Sequence, residues 1–158
     1  MSKVLVTYFS ASGITKRVAE RLSSILGSDL FEIVPVYIYT KADLNWMNRN
    51  SRSSVEMADR NSRPKIKNKV DISSYEYVFV GFPIWWYREP SIIDTFIEEY
   101  DFSGKIIIPF ATSGGSGLGE APSIMRDLAK GAKVLEGKRF SSRVNDEELK
   151  NWIKGIIE

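Results

Sequence analysis

The sequence contains no cysteine and no histidine. The lack of cysteine excludes a disulfide scaffold, thiolate catalysis, iron–sulfur ligation and the common structural zinc sites. The lack of histidine excludes imidazole acid–base catalysis, the Ser-His-Asp and Cys-His nucleophiles, and most transition-metal ligation. Three kinds of chemistry are left: carboxylate catalysis, magnesium-type oxygen ligation, and a reaction carried by an organic cofactor.

Long hydrophobic runs are also missing. The apolar run Val4–Phe9 is far too short to cross a membrane and is typical of a strand. Lys3 is the only charged residue before this run, and no small-residue cleavage site follows it. We therefore expect no signal peptide, no membrane partner and a cytoplasmic location. The 158 residues are enough for one domain with a substantial core, and we expect a single domain over 1–158.

The charge is almost balanced, with a formal net charge of +2, but it is unevenly distributed. Residues 41–69 hold eight Lys or Arg and three Asp or Glu, which leaves 14 and 17 for the rest of the chain. The cations are scattered among Asn and Ser, without the pattern of an RNA-recognition or helix-turn-helix motif. We therefore expect a solvated basic segment and no nucleic-acid partner.

Short apolar runs alternate with segments of helical period, which predicts an α/β fold with a mainly parallel sheet. Helices are predicted over about 13–26, from Pro90, over about 120–130, and from Asn145 onward. The segment 35–74 is predicted to be a long, irregular connection with one weak helical candidate near 54–59; it is either functional or a cover on one face of the sheet. The predicted strands are Val4–Phe9, Asp29–Val34, Tyr77–Phe82, Ile106–Ala111 and Lys133–Leu135.

The loop after the first strand, Ser10–Lys16, places three hydroxyl side chains around Gly13 at the start of a helix. A helix N-terminus offers unpaired N–H groups and the positive end of its dipole, so this loop suits a phosphate. The spacing is neither that of a P-loop nor GxGxxG. The alternative interpretation, that Ser12 is an ordinary N-cap and Gly13 a turn residue, fits the loop equally well.

The loops after the third and fourth strands should lie beside the first, where open α/β sheets bind ligands. The segment Gly81–Pro90 holds three consecutive aromatic residues between two prolines, and these residues cannot all enter one core. One tryptophan could plug the sheet edge, and the others suit a platform for a flat ligand. The segment Thr112–Gly119 has four glycines within six positions, so its N–H groups are free to bind oxygens, unless it is only a flexible connector.

Together these loops resemble the three FMN-binding loops of the flavodoxin family, and the resemblance covers essentially the whole chain. It rests on the S-x-S-G-x-T pattern after the first strand and on the segments GFPIWWYREP and ATSGGSGLGE. It implies a flavodoxin-like, doubly wound three-layer sandwich with a five-stranded parallel sheet of order 2-1-3-4-5. It also implies FMN as the cofactor. The absence of histidine and cysteine is then no obstacle, since the flavin supplies the reactive atoms.

The resemblance also assigns site residues, and it assigns no catalytic residue and no metal ligand. The phosphate would be held by Ser10, Ser12, Gly13, Ile14 and Thr15. The ring and the ribityl chain would be lined by Pro83, Ile84, Trp85 and Trp86. The pyrimidine edge would be contacted by Thr112, Ser113, Gly114, Gly115 and, further along the loop, Gly119.

The expected function is electron transfer by an FMN-binding protein, either a one-electron carrier or a small redox enzyme. The alternatives are an FMN-dependent NAD(P)H:quinone-type oxidoreductase and a non-redox mononucleotide-binding module. A phosphoacceptor receiver is nearly excluded, because its acidic positions hold Ser10 and Pro83 here. A carboxylate-based hydrolase ranks last, since only Glu89 and Glu120 lie near the loops. The sequence leaves the redox partner open, whether a protein, a quinone or a nicotinamide, and does not decide between monomer and homodimer.

Two features depart from the electron-carrying flavodoxins. The third loop has no aromatic residue, so one face of the ring would be open, covered by Trp46, or covered by a neighbouring chain. The chain is also nearly neutral, with Arg88 expected beside the ring, whereas electron-transfer flavodoxins are strongly acidic, which disfavours reduced, anionic flavin. We therefore expect a less negative potential and a different class of partner.

Overall fold

The computed structural model describes residues 3–157, which form a central parallel sheet with helices on both faces. The helices are α1 Ile14–Leu26, α2 Arg52–Ala58, α3 Ser91–Glu99, α4 Ala121–Leu128 and α5 Asp146–Lys154. The strands are β1 Val4–Tyr8, β2 Asp29–Glu32, β3 Tyr77–Pro83, β4 Ile106–Thr112, β5 Lys133–Val134 and β6 Lys138–Phe140.

The strand order β2-β1-β3-β4-β5 confirms the predicted doubly wound topology. Every strand pair is parallel, and β3 is paired along its whole length with β1 or β4. This order brings the carboxyl ends of β1, β3 and β4 to one edge of the sheet, which is the edge where the three singled-out loops begin.

The edge beyond β4 differs from the prediction, because β5 and β6 both pair with β4 in place of one strand. Alternate residues of β4 face this edge: Leu135 N–H donates to the Ile107 carbonyl at 2.9 Å, and Ser113 N–H donates to the Phe140 carbonyl at 3.2 Å. Pro109 lies between these two bonds and has no N–H to donate. The edge strand is therefore interrupted opposite Pro109 and resumes as β6.

The core has two layers, one on each face of the sheet. On one face α1 and α5 bury the stripes that their helical periods predict, including Val18, Leu22 and Leu149. On the other face α3 and α4 bury a second set that includes Phe96 and Met125. These layers and the sheet make the three-layer sandwich.

The connection between β2 and β3 contains α2, which begins two residues before the predicted candidate. The rest of the connection is turns, bends and an isolated antiparallel bridge between Pro35 and Ile66. The side chain of Ser51 caps α2 by accepting a hydrogen bond from Ser54 N–H. In the part of the chain that the structure describes, no helix is long and apolar enough to cross a membrane.

Candidate functional site

Two adjoining cavities lie at the carboxyl edge of β1, β3 and β4. The first, called the aromatic cavity here, has a volume of about 460 Å³. Its walls carry four aromatic side chains from two different parts of the chain, Trp46 of the β2–β3 connection and Trp85, Trp86 and Tyr87 after β3. The remaining lining residues are Ala11, Ser12, Leu44, Ser53, Pro83, Ile84 and Ser116.

The second cavity, called the polar chamber here, has a volume of about 340 Å³ and a different chemical character. Five hydroxyl side chains and one guanidinium line it, and none of its lining residues is acidic. Ser12 and Pro83 line both cavities, so the two spaces adjoin. The lining residues are Ser12, Ile14, Pro83, Thr112, Ser113, Gly114, Ser141, Ser142 and Arg143.

The aromatic residues after β3 form a tight turn. Trp85 N–H donates to the Arg88 carbonyl at 3.0 Å, and Arg88 N–H donates to the Trp85 carbonyl at 3.3 Å. The two central residues, Trp86 and Tyr87, have φ of 49° and 65°, as in a type I′ turn. Left-handed backbone costs a non-glycine residue about 1–2 kcal/mol, so this turn holds two bulky residues in strained conformations at the mouth of the cavity.

The three aromatic residues of the turn have different surroundings. Trp85 is half-buried, and its ring lies edge-on to the rings of Phe9 at 5.8 Å and Tyr39 at 5.4 Å. Trp86 and Tyr87 are exposed, by 42% and 72%. Trp85 therefore forms the floor of the aromatic cavity, and Trp86 and Tyr87 add exposed aromatic surface to its wall.

The third loop holds the turn in place. Glu120 N–H donates to the Tyr87 carbonyl at 3.0 Å. Gly119 approaches the same carbonyl so closely, with φ of 54°, that a Cβ there would collide with its oxygen. Gly119 is thus required by the packing of the third loop on the turn, and it lines neither cavity.

Arg88 does not lie beside the aromatic cavity, which corrects the expectation from the sequence. Its side chain is buried, with Nη1 at 3.4 Å from Asp94 and 3.8 Å from Glu89. The Asp94 carboxyl group holds the guanidinium there, and Nη1 also donates to the backbone carbonyl of Glu89 at 3.2 Å. Burial, followed by the neighbouring Asp94, raises the pKa of Glu89 to about 10, so Glu89 is protonated at neutral pH.

The start of α1 is open to a ligand. Its N-cap is Gly13 and not Ser12, and no side chain caps the helix. The backbone N–H of Gly13 donates to Ser10 Oγ at 3.0 Å, which shapes the loop. The hydroxyls of Thr15 and Thr112 are hydrogen-bonded to each other at 2.7 Å, which fastens the first loop to the third.

The polar chamber is held by bonds between its segments. Arg139 donates to the Ser113 carbonyl at 3.0 Å and joins β6 to the third loop. Arg21 donates to the Val144 carbonyl at 2.8 Å and also pairs with Asp146, which joins α1 to the loop after β6. The chamber is therefore enclosed by the ends of β1, β4 and β6.

Nine of the fourteen residues singled out from the sequence line the two cavities. The loop 141–143 was missed, because the sequence predicts the last strand only to Leu135 and gives no sign that β6 brings this loop beside β4. Ser53 was missed because it lies just before the weak helical candidate at 54–59, and nothing in the sequence shows which way its side chain faces. The nine are Ser12, Ile14, Pro83, Ile84, Trp85, Trp86, Thr112, Ser113 and Gly114; the other five are Ser10, Gly13, Thr15, Gly115 and Gly119.

The chain matches known proteins along nearly its whole length. A family model described as Flavodoxin matches residues 3–156. The crystal structure of a candidate flavoprotein from Bacteroides eggerthii DSM 20697 is 44% identical, with a TM-score of 0.91, over 100% of this chain and 99% of that chain. A candidate flavoprotein from Bacteroides uniformis ATCC 8492 is 42% identical, with a TM-score of 0.89, over 97% and 98%.

A more distant structure, the flavoprotein of Lactobacillus acidophilus NCFM in complex with FMN, is 23% identical. The match covers 97% of this chain and 99% of that chain, with a TM-score of 0.73, and it shows a shared fold. None of the curated proteins compared with the chain matches it.

Proposed function

Because the chain belongs to the flavodoxin family, we propose that it is a flavoprotein that binds FMN across the two cavities and transfers electrons through it. The observation that carries this proposal is the division of one crevice into an aromatic cavity and a polar chamber. FMN has the same division, with a flat, largely apolar ring at one end and a phosphate at the other. An aromatic platform suits the ring, and hydroxyls, a guanidinium and open N–H groups suit the phosphate.

Each part of the crevice would then contact a different part of FMN. The open first turn of α1, beginning at Ile14, and Arg143 would hold the phosphate within the polar chamber. Trp85 and Trp86 would support the ring and keep water from one of its faces. The flavin supplies the redox chemistry when it is bound, and the protein binds it, orients it and sets its electrostatic surroundings.

A second candidate function, an FMN-dependent NAD(P)H:quinone-type oxidoreductase, is favoured by the exposure around the aromatic cavity. Trp46 lines the cavity, yet 69% of it is exposed, and its neighbour Met47 is 76% exposed. Exposed apolar side chains at the rim of a cofactor site suit a flat substrate that enters and leaves, as well as a docking protein. Both functions use the same cofactor and differ in the electron donor and acceptor.

The first experiment is an absorption spectrum of the purified protein after FMN is added and the excess is removed by gel filtration. A bound flavin spectrum in stoichiometric amount is expected, and a protein that retains no FMN would refute the proposal. Trp86→Leu should weaken FMN binding by about 1–3 kcal/mol, in line with base-stacking contacts, and leave folding intact. Tyr37→Leu is the matched control, because Tyr37 is 74% exposed and lines neither cavity.

The holoprotein then separates carrier from enzyme. Consumption of NAD(P)H with a quinone as the acceptor would favour the oxidoreductase. Reduction of the bound flavin only through a partner reductase would favour the carrier. FMN binding without any reduction by chemical or enzymatic donors would leave a non-redox binding module.

A further inference from the structure

We propose that Ser53 of α2 donates a hydrogen bond from Oγ to a heteroatom of the flavin ring and thereby makes the bound flavin easier to reduce. This inference rests on the proposed function, since it needs the ring in the aromatic cavity. The three loops after β1, β3 and β4 would then not be the only segments that contact the flavin. The long β2–β3 connection, which contains α2, would contribute a hydrogen bond as well.

The hydroxyl of Ser53 is buried without a partner. The residue is 2% exposed, and among residues 3–157 its Oγ has no hydrogen-bond partner. An unsatisfied buried polar group costs about 1–3 kcal/mol, so such groups occur mainly where something completes them. Ser53 also lines the aromatic cavity, so a ligand there can complete this one.

The cavity offers a ring few other polar contacts. Ser12 and Ser116 are the other hydroxyl residues besides Tyr87 on its wall, and all three are exposed to water. The remaining lining residues are aliphatic, aromatic or proline. A heteroatom of a ring that enters this space loses water, and Ser53 is the one buried hydroxyl residue among those lining the cavity.

The position of Ser53 is fixed from both ends of α2. Its own N–H donates to the Asp43 carbonyl at 3.0 Å. At the other end of the helix the carbonyl of Met57 accepts from Arg88 Nη2 at 3.5 Å. A hydroxyl on a helix held in this way loses little freedom when it binds, which favours a specific contact.

The same helix is also joined to the floor of the aromatic cavity. The guanidinium of Arg52 lies 3.7 Å from the centre of the Tyr39 ring, and this ring packs edge-on against Trp85 at 5.4 Å. Arg52, the neighbour of Ser53 on α2, is therefore connected through Tyr39 to the aromatic floor of the cavity. A shift of α2 would disturb both, so the hydroxyl and the platform are positioned together.

An O–H donor favours the more negatively charged form of its acceptor. Reduction places negative charge on the flavin ring, so the bond from Ser53 should stabilise the reduced form more than the oxidised form. Removing the hydroxyl should therefore weaken binding of the oxidised cofactor modestly and move its potential to a more negative value.

The test uses Ser53→Ala, with FMN and riboflavin titrated separately into the apoprotein. The affinity for FMN and the affinity for riboflavin should both fall by about threefold to tenfold, the effect of one neutral hydrogen bond. The potential of the bound FMN should become more negative. Ser123→Ala, at an exposed serine of α4, is the matched control and should change none of these values.

A structural role would give a different pattern. Since the hydroxyl is unsatisfied in the ligand-free chain, Ser53→Ala apoprotein should unfold in urea at an equal or higher concentration than the wild type. Lower stability of the apoprotein, unchanged affinity with unchanged potential, or a loss limited to FMN would each overturn the inference. A wild-type protein that binds neither ligand would instead refute the proposed function.

Discussion

Glu89 is a carboxylic acid fully enclosed by protein, directly after the aromatic turn. Neither of its carboxyl oxygens has a hydrogen-bond partner among the described residues, and Arg88 approaches only to 3.8 Å. Burial and the nearby Asp94 raise its pKa to about 10, whereas an unfolded chain gives glutamate a pKa near 4.3. Between these values the folded protein keeps a proton that the unfolded chain releases, so this group lowers stability as the pH rises.

Glu89→Gln should therefore stabilise the protein, and more so at higher pH. Glutamine has the shape of the protonated acid and no proton to keep, so the part of the pH dependence that Glu89 causes should disappear. The free energy of unfolding in urea, measured at about pH 6 and about pH 9, should show a larger gain at the higher value.

Glu76→Gln is the control for this measurement, because Glu76 is exposed and water solvates either side chain. Its difference from the wild type should stay nearly constant over the same range. A variant of Glu89 that loses stability equally at both pH values would show that the carboxyl group is charged and paired in the folded protein.

At the scale of single elements, the turn after β3 combines a functional position with backbone strain. Trp86 and Tyr87 occupy conformations that asparagine and glycine adopt more readily. Its restraints are the two bonds between Trp85 and Arg88, the contact of the Tyr87 carbonyl with the third loop, and the buried guanidinium. Together these restraints hold Trp86 and Tyr87 in exposed positions that the packing of the core does not require.

Tyr87→Gly should relieve part of this strain and raise the free energy of unfolding of the apoprotein by about 1 kcal/mol. The side chain is 72% exposed, so little packing is lost. Tyr37→Gly is the matched control, because Tyr37 is 74% exposed and its φ is not positive. Urea unfolding should show a gain for the first variant and a loss for the second, and equal losses would contradict the account of strain.

The sequence predicts a mainly parallel α/β sheet from its periodicity, and it predicts the order of the strands through the resemblance to flavodoxins. It also predicts where the three loops meet, since the carboxyl ends of neighbouring strands share an edge. The direction of individual side chains was harder to predict. Nothing in Trp-Trp-Tyr-Arg indicates a type I′ turn without glycine or asparagine, so the sequence did not show that Trp85 forms the floor and Arg88 turns inward. Likewise, only the break opposite Pro109 explains why the loop 141–143 reaches the polar chamber.

For the molecule as a whole, the cations of residues 41–69 lie on the connection that supplies part of the aromatic cavity. Several of them are neutralised within the fold, for example Arg52 by Glu56 and Arg63 by Glu98. None of the described ion pairs includes Lys41 or Arg49, and both are exposed on the segment that carries Trp46. Neither cavity has an acidic lining residue, so the field at the site favours added negative charge.

We therefore predict that bound FMN is fully reduced at a less negative potential than in acidic flavodoxins. The double variant Lys41→Glu/Arg49→Glu should lower that potential at low salt, and high salt should diminish the difference. The control Lys130→Glu/Lys154→Glu makes the same change in net charge outside residues 41–69 and should have a smaller effect. A redox titration that finds the wild-type potential as low as that of acidic flavodoxins would contradict the prediction.

The interruption of the edge strand opposite Pro109 also affects how copies of this chain can associate through their sheets. An uncovered edge strand presents a row of free N–H and C=O groups to which a strand of another molecule can add. Here one edge of the sheet is divided into β5, with two residues, and β6, with three. The other edge, β2, has only four residues, and two of them are acidic. Neither edge offers a long, uniform template, so Pro109, which divides the edge strand beside the polar chamber, also limits sheet-to-sheet joining between folded copies of the chain.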